Sequence, residues 1–353
     1  MKVLYIGDDI EKTTSGADAV NKRNLKLLLS LFGDNLFIQG LQTSDLKTKL
    51  SGYIGGLTPL VEKKTLETIK SKDISIVFVS HSSLGRICKT IRKKFPNIKI
   101  ITFYHNIEIQ YAKTYLSSVG LKGVPLYLLT RFNEGLATKC SDVNIVLNNR
   151  DKNLLNDLYH IKADGLLPVS YEDQFDAGKL NLESKNNKLQ ILFVGVAFFA
   201  NTSGIIWFID NVLNKIEAEL IIVGNGMDVF FKNFQHDKVK VFGFVEDLSQ
   251  FYYNSDVVIA PIFTGGGMKT KTAEAMMFGK SIVGTVEAFE GYDLVENVHY
   301  VFQNENECIN LLESKFITSR SSKFNEASRA EFLKNYSNIV MLERLKNILN
   351  NTH

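Results

Sequence analysis

Residues 263–285, FTGGGMKTKTAEAMMFGKSIVGT, bring three consecutive glycines, two lysines and one glutamate into ten positions. Gly265, Gly266 and Gly267 make a loop without side chains, so backbone can approach a ligand closely. A helix predicted to start around Met268 to Lys271 and to end at Gly279 aims its free N–H groups, and their partial positive charge, at the same place. Such an end suits phosphate. Lys269 and Lys271 add whole charges where a purely structural helix favours acids, an arrangement that is unfavourable until an anion arrives. Glu274, one turn on, is placed either to pair with Lys271 at i,i+3 or to accept hydrogen bonds from ribose hydroxyls. The competing reading is a solvated loop with surface lysines; the coincidence of glycines, helix start and cations favours phosphate.

Such a loop needs a strand to end before it and a helix to begin after it, and the chain repeats that pattern. KVLYIG (2–7), ISIVFVS (74–80), IKIITFY (98–104) and DVNIVL (142–147) are short apolar runs separated by helix-length segments, the signature of parallel strands buried on both faces. The reading restarts at KLQILFVG (188–195) and continues through AELIIVG (218–224), KVKVFGF (238–244), DVVIAPI (256–262) and SIVGT (281–285). The predicted fold class is therefore α/β, with two Rossmann-like domains facing across a cleft and ligands bound outside the carboxyl ends of the strands. Residues 1–170 form the first domain, 171–187 a polar linker, 188–335 the second domain, and 336–353 a final helix. That helix carries Ile339, Leu342, Leu345, Ile348 and Leu349 at helical spacing and is expected to return to the first domain to bury them.

A chain of 353 residues, 45% hydrophobic and 22% charged, has room for two cores. Three widely spaced cysteines, Cys88, Cys140 and Cys308, include no CxxC pair for zinc or redox work and fit a reducing compartment. The apolar run at the amino terminus is too short for a signal peptide and no stretch is long enough to span a membrane, so the expected location is cytoplasmic. Residues 1–165 hold 24 Lys and Arg against 15 Asp and Glu, net +9, whereas 166–353 hold 17 against 23, net −6. The halves are expected to meet different partners. Nucleic acid is not among them, because no zinc-ligand spacing or aromatic RNP-like motif accompanies the charge.

Two nucleotide-binding motifs are excluded by single residues. FGKS (278–281) ends like a P-loop, but the glycine required five residues before Gly279 is Glu274. VGNGMDV (223–229) has Gly224 and Gly226, but Val229 stands where a dinucleotide fingerprint needs its third glycine.

GGGMKTKTAEAMMFGKSIVGT, with the upstream VGVAFFANTSGIIWF, LIIVGNGM and GFVEDLSQFYYNSDVVIAPI, resembles the donor-binding domain of family 4 glycosyltransferases, retaining enzymes of the GT-B fold, in the GGG variant of surface-polysaccharide type. The likeness spans about residues 188–300 and extends into SGADAVNKRNLKLL (15–28) and FYHNIEIQY (103–111). It implies transfer of a hexose-like sugar from a UDP- or GDP-linked donor to a saccharide or lipid-linked acceptor, in polysaccharide or glycoconjugate biosynthesis, with no cofactor. By the same resemblance Glu274 matches the second glutamate of a Glu-x7-Glu motif and binds the donor ribose. Lys269 and Lys271 face the diphosphate within the donor-binding stretch of Gly265, Gly266, Gly267, Met268 and Thr270. Gly224 belongs to the same site. Phe244 and Val245 follow the strand end whose backbone meets the base. His105 stands near the transferred sugar, and Ser15 and Gly16 lie on the acceptor side.

The sequence departs from that pattern twice. The first glutamate of the pair is replaced by Gly266, and the basic pair that follows the first strand of the donor domain would fall near Val196 and Asn201, neither of which is basic. Phosphate neutralisation then rests on Lys269, Lys271 and the helix terminus, which stabilise charge on the departing diphosphate. No Asp-x-Asp pair occurs, so catalysis is expected to need no metal, and the resemblance implies retention by front-face attack. A sugar-nucleotide epimerase of the same fold and a donor-binding pseudoenzyme are the alternatives. The basic first domain, with Lys63, Lys64, Lys89, Arg92, Lys93, Lys94 and Lys99, and the apolar segment KTYLSSVGLKGVPLYLL (113–129), predict peripheral attachment to an anionic membrane surface and a lipid-carried acceptor.

Overall fold

A computed structural model describes residues 1–8, 16–43, 45–180, 188–314, 317 and 323–350. It divides into two units, one formed by Met1–Pro168 with Met341–His353 and the other by Val169–Val340. Each is an α/β unit around a parallel six-stranded sheet.

In unit 1 the strands are β1 (Val3–Gly7), β2 (Leu36–Gly40), β3 (Ile76–Val79), β4 (Lys99–Tyr104), β5 (Val143–Val146) and β6 (Gly165–Leu166), in the order β2-β1-β3-β4-β5-β6. Every residue of β1, β3 and β5 is buried, as a sheet covered by helices on both faces requires. The two edge strands are absent from the sequence reading. β2 is half-exposed, with Ile38 55% accessible, and β6 has two residues, so neither yields an uninterrupted apolar run.

The last helix, Asn338–Asn350, buries Met341, Leu345 and Leu349, while Ile339, expected on the apolar stripe, is 77% exposed. Within unit 1 the Leu349 carbonyl accepts a hydrogen bond from Lys99 Nζ at 3.3 Å. Arg92 is likewise turned inward: its guanidinium donates to the carbonyls of Cys140, Pro96 and Ile98 and pairs with Asp142. The expectation that Arg92 and Lys99 present charge to a membrane is corrected for these two residues, since backbone carbonyls left by neighbouring elements capture both.

Unit 2 contains β7 (Leu189–Val194), β8 (Ala218–Val223), β9 (Val239–Phe242), β10 (Val257–Ala260), β11 (Ser281–Gly284) and β12 (His299–Val301), in the order β12-β11-β10-β7-β8-β9. The short β12 is the strand missed here. Residues 171–180 of the segment read as a linker pack within this unit. The Tyr171 amide donates to the Tyr336 carbonyl at 3.0 Å, and Phe175 stacks on Phe324 with centroids 5.1 Å apart; the remainder, 181–187, lies outside the described residues. All three thiols are free; Cys88 in unit 1 and Cys308 in unit 2 are buried, which pushes each up to about 12, and Cys140 is half-buried.

Candidate active site

The order of the strands locates the site in unit 2. The chain runs from β7 outward through β8 and β9, then returns to the opposite side of β7 at β10, so the topological switch lies between β7 and β10. Ligands of open parallel sheets bind outside the carboxyl ends at such a switch. β10 ends at Ala260, and the glycine loop leads to helix Thr270–Met277, whose start lies within the expected Met268 to Lys271 window. Gly265 and Gly266 are exposed; Gly267 has φ 64°, a conformation that penalises any β-carbon. Lys269 occupies the N-cap with extended backbone and makes no side-chain cap, leaving the first amides of the helix uncapped by a side chain. Met268 is 7% exposed and anchors the loop, and Thr270 is half-buried beside it.

The two lysines diverge. Lys271 is 8% exposed; its ammonium donates to Asn201 Oδ1 at 2.8 Å and lies 4.2 Å above the Phe193 ring. Phe193 belongs to β7 and Asn201 to helix Phe199–Asn211 after it, so this cation bridges the switch. Burial, aided by Lys269, lowers its pKa to about 7, with Glu274 opposing. Lys269 instead pairs with Glu287 Oε1 at 2.7 Å and donates to the Gly267 carbonyl at 3.0 Å. The expectation that both lysines stand electrostatically unbalanced is thereby corrected: Lys269 has a counter-charge from the turn after β11.

Glu274 does not close an i,i+3 pair, because Lys271 extends toward Asn201. Its carboxylate accepts from the Tyr252 hydroxyl at 2.9 Å, and burial raises it to about 7 against the opposing effects of Tyr252 and Lys271. Gly224, after β8, is required by close approach: a Cβ there would lie 1.9 Å from the Gly195 carbonyl oxygen. Beyond β9, Phe244 is 69% exposed and Val245 half-buried. Tyr252 and Glu287 were not among the residues singled out in the sequence, where Asn201 was noted only as a position lacking a base, nor were the exposed Phe198, Phe199 and Phe263 after β7 and β10. Only the last three carried a signal, as large apolar residues in strand-end loops. Lys280 of the GKS ending is fully buried and donates to the Ser255 and Lys323 carbonyls, a structural role that agrees with excluding a P-loop.

In unit 1 the switch falls between β1 and β3. His105 follows β4, 8% exposed, with Nε2 and Asn21 Oδ1 2.9 Å apart and its ring edge-on to Phe103. Burial first, then His81 and Arg23, lower its pKa to about 3, so the imidazole is neutral at physiological pH. Its Nδ1, like Ser80 Oγ and Asn106 Oδ1, is buried without a hydrogen-bond partner among the described residues. Gly16 opens helix Gly16–Phe32, and Ser15 lies outside the described residues. Among the described residues no group of three His, Cys, Asp or Glu side chains is placed to hold a metal ion, and no helix is long and apolar enough to cross a membrane.

Two parallel-sheet Rossmann-like units are the GT-B architecture, and solved GT-B structures match the chain from end to end. Sucrose-phosphate synthase from Thermosynechococcus elongatus superposes with a TM-score of 0.75 at 12% identity, covering 99% of this chain and 98% of that one. HepE from Anabaena in complex with UDP and glucose gives 0.70 at 13% identity, over 99% and 100% of the two chains. The lipopolysaccharide outer core galactosyltransferase WaaB gives 0.68 at 13%, over all of both chains. In sequence, residues 188–310 match the family described as Glycosyl transferases group 1. Among curated proteins none matches the chain.

Proposed function

We propose that this chain is a glycosyltransferase that moves a sugar from a nucleoside-diphosphate donor, held by unit 2, to a saccharide or lipid-linked acceptor. The observation that carries the reading is the buried Lys271 ammonium at the switch point of unit 2, beside a glycine loop and an uncapped helix start. These groups suit a diphosphate: the helix supplies amides, Lys271 a charge that a phosphate would hold in its protonated form, and Glu274 an acceptor for ribose hydroxyls. The match of residues 188–310 to group 1 glycosyltransferases and the UDP bound by the similar HepE support it. Phe244 and Val245 serve the base, and His105, a neutral imidazole, serves the acceptor side in unit 1.

In the reaction the sugar–phosphate bond breaks and negative charge gathers on the leaving diphosphate. Lys269, Lys271 and the helix amides stabilise that charge without a metal, more strongly in the transition state than before it. The configuration is retained, with the departing phosphate taking the acceptor's proton. The acceptor belongs to polysaccharide or glycoconjugate assembly at an anionic leaflet. Unit 1 supports this with exposed Leu121 (88%), Tyr111 (59%) and Leu128 (56%), and with a 550 Å³ groove lined by Leu128, Phe132 and Leu158 together with Arg131, Lys139 and His160.

Incubation with UDP- and GDP-sugars, with and without acceptor mixtures, tests the reading. Nucleoside diphosphate released together with a glycoside is the expected outcome; an isomerised donor identifies an epimerase, and binding without turnover a pseudoenzyme.

A further inference from the structure

Gly266 removes the carboxylate that a Glu-x7-Glu motif would place in the loop after β10. A carboxylate is nevertheless present at that loop, and it comes from another strand. β10 and β11 are neighbours, with Ala260 opposite Gly284, so the loops leaving them lie side by side. The turn Val286–Phe289 after β11 is capped by Thr285, whose Oγ1 accepts from the Ala288 amide at 3.3 Å and donates to the Ile262 carbonyl. Thr272 Oγ1 donates to the Ala288 carbonyl at 3.1 Å, and the Tyr292 hydroxyl to the Lys269 carbonyl at 2.7 Å. These bonds tie the turn to both ends of the glycine loop and fix Glu287 above it. Its Oε1 bonds Lys269 Nζ at 2.7 Å and lies 3.5 Å from where a Cβ on Gly265 would stand, one residue from the missing glutamate.

We infer that Glu287 is the carboxylate that recognises the sugar hydroxyls of the donor, supplied from the β11 turn in place of the side chain absent at Gly266. The inference rests on the donor-site reading given above. The Lys269–Glu287 bond then joins two tasks, since one partner serves the diphosphate and the other the sugar attached to it. A carboxylate accepts hydrogen bonds from sugar hydroxyls, and a glycine loop leaves the room for a ring that a side chain at 265 or 266 would fill.

The test compares what the sugar adds to binding. Titration calorimetry with the pairs UDP and UDP-glucose, UDP and UDP-galactose, and GDP and GDP-mannose gives, for wild type, the ratio of affinities with and without the sugar. In Glu287→Gln, whose amide oxygen still accepts from Lys269, nucleoside-diphosphate binding is expected to persist while the sugar's contribution falls by about tenfold, as for loss of one hydrogen bond to a charged group. Should that variant not fold, Glu287→Asp keeps the charge, withdraws it by one methylene, and is expected to reduce the same ratio. An unchanged ratio overturns the inference and leaves Glu287 a structural partner of Lys269. So does a wild type for which no sugar strengthens binding in any pair. A wild type that binds none of the nucleoside diphosphates overturns the donor-site reading itself.

Discussion

Lys271 and Asn201, 70 residues apart in sequence, are joined by a 2.8 Å hydrogen bond across the point where the sheet of unit 2 reverses its strand order. Asn201 occupies one of the two places where the resembling family carries a base. The positive charge is still there, delivered from the helix after β10 instead of the helix after β7.

Replacing Lys271 by Met should therefore weaken UDP or GDP binding by roughly tenfold to a hundredfold, the range for a hydrogen bond to a charged group, without unfolding the protein. With its pKa lowered to about 7, the unliganded lysine is largely neutral above that pH. A diphosphate favours its protonated form, so binding should take up a proton and strengthen as pH falls through about 7. Calorimetry in buffers of different ionisation enthalpy reads the proton uptake directly, and Lys271→Met should abolish it.

Glu274 has the opposite sign. Raised to about 7, it ionises above that pH, and only the carboxylate is an acceptor on both oxygens. Glu274→Gln should lose about tenfold in nucleotide affinity at pH 8 and much less at pH 6. Equal losses at both pH values would remove its ionisation from binding.

His105, held near 3 by burial, should contribute no limb to the pH–rate profile between pH 5 and 8. Its neutral form is the native one, so the unfolded chain binds more protons between about 6.5 and 3. Stability is thus expected to fall as pH drops through that window, with His299, lowered to about 4 by burial, adding to the loss. Nitrogen-15 shifts of the two rings check the neutrality, and His105→Gln should blunt the loss of thermal stability between pH 6 and 4.

Gly224→Ala tests the backbone contact that shapes the loops after β7 and β8. A methyl group 1.9 Å from the Gly195 oxygen must displace one strand end, and a loss of about 3 kcal/mol or more is expected from overpacking. Thermal or denaturant unfolding measures it. A change below about 0.5 kcal/mol would mean the loops yield freely, as at ordinary surface positions.

The membrane reading predicts that anionic vesicles retain the protein more strongly than neutral ones at low salt. Leu121→Asp with Leu128→Asp should release it, as should neutralising Arg131 and Lys139, which line a groove with Leu128. Neutralising Arg92 should instead lower stability, because its guanidinium holds three carbonyls and Asp142. Binding indifferent to lipid charge would favour a soluble acceptor.

The doubly wound fold was legible in the sequence because buried parallel strands are uniform apolar runs, as in VVIA of β10 and IVFV of β3. Edge strands β2, β6 and β12 carry half that signal and were missed. The glycine loop, its lysines and Glu274 were legible because they are consecutive. Tyr252 and Glu287 were not, and Asn201 was legible only as a position lacking a base, since each reaches the loop from a different element and only the strand order brings them together. The same cause explains the misreading of Lys269: its counter-charge lies 18 positions away on the turn after β11.

The two buried thiols give each unit a reporter that needs no label or added residue. Cys88 and Cys308 lie in separate units, and their protonated, inaccessible sulfurs react with a disulfide reagent only when the surrounding core opens. Half-buried Cys140 reacts first and sets the scale. The two slow phases, assigned by Cys88→Ala and Cys308→Ala, would show whether a nucleotide at unit 2 slows breathing in that unit alone or in both.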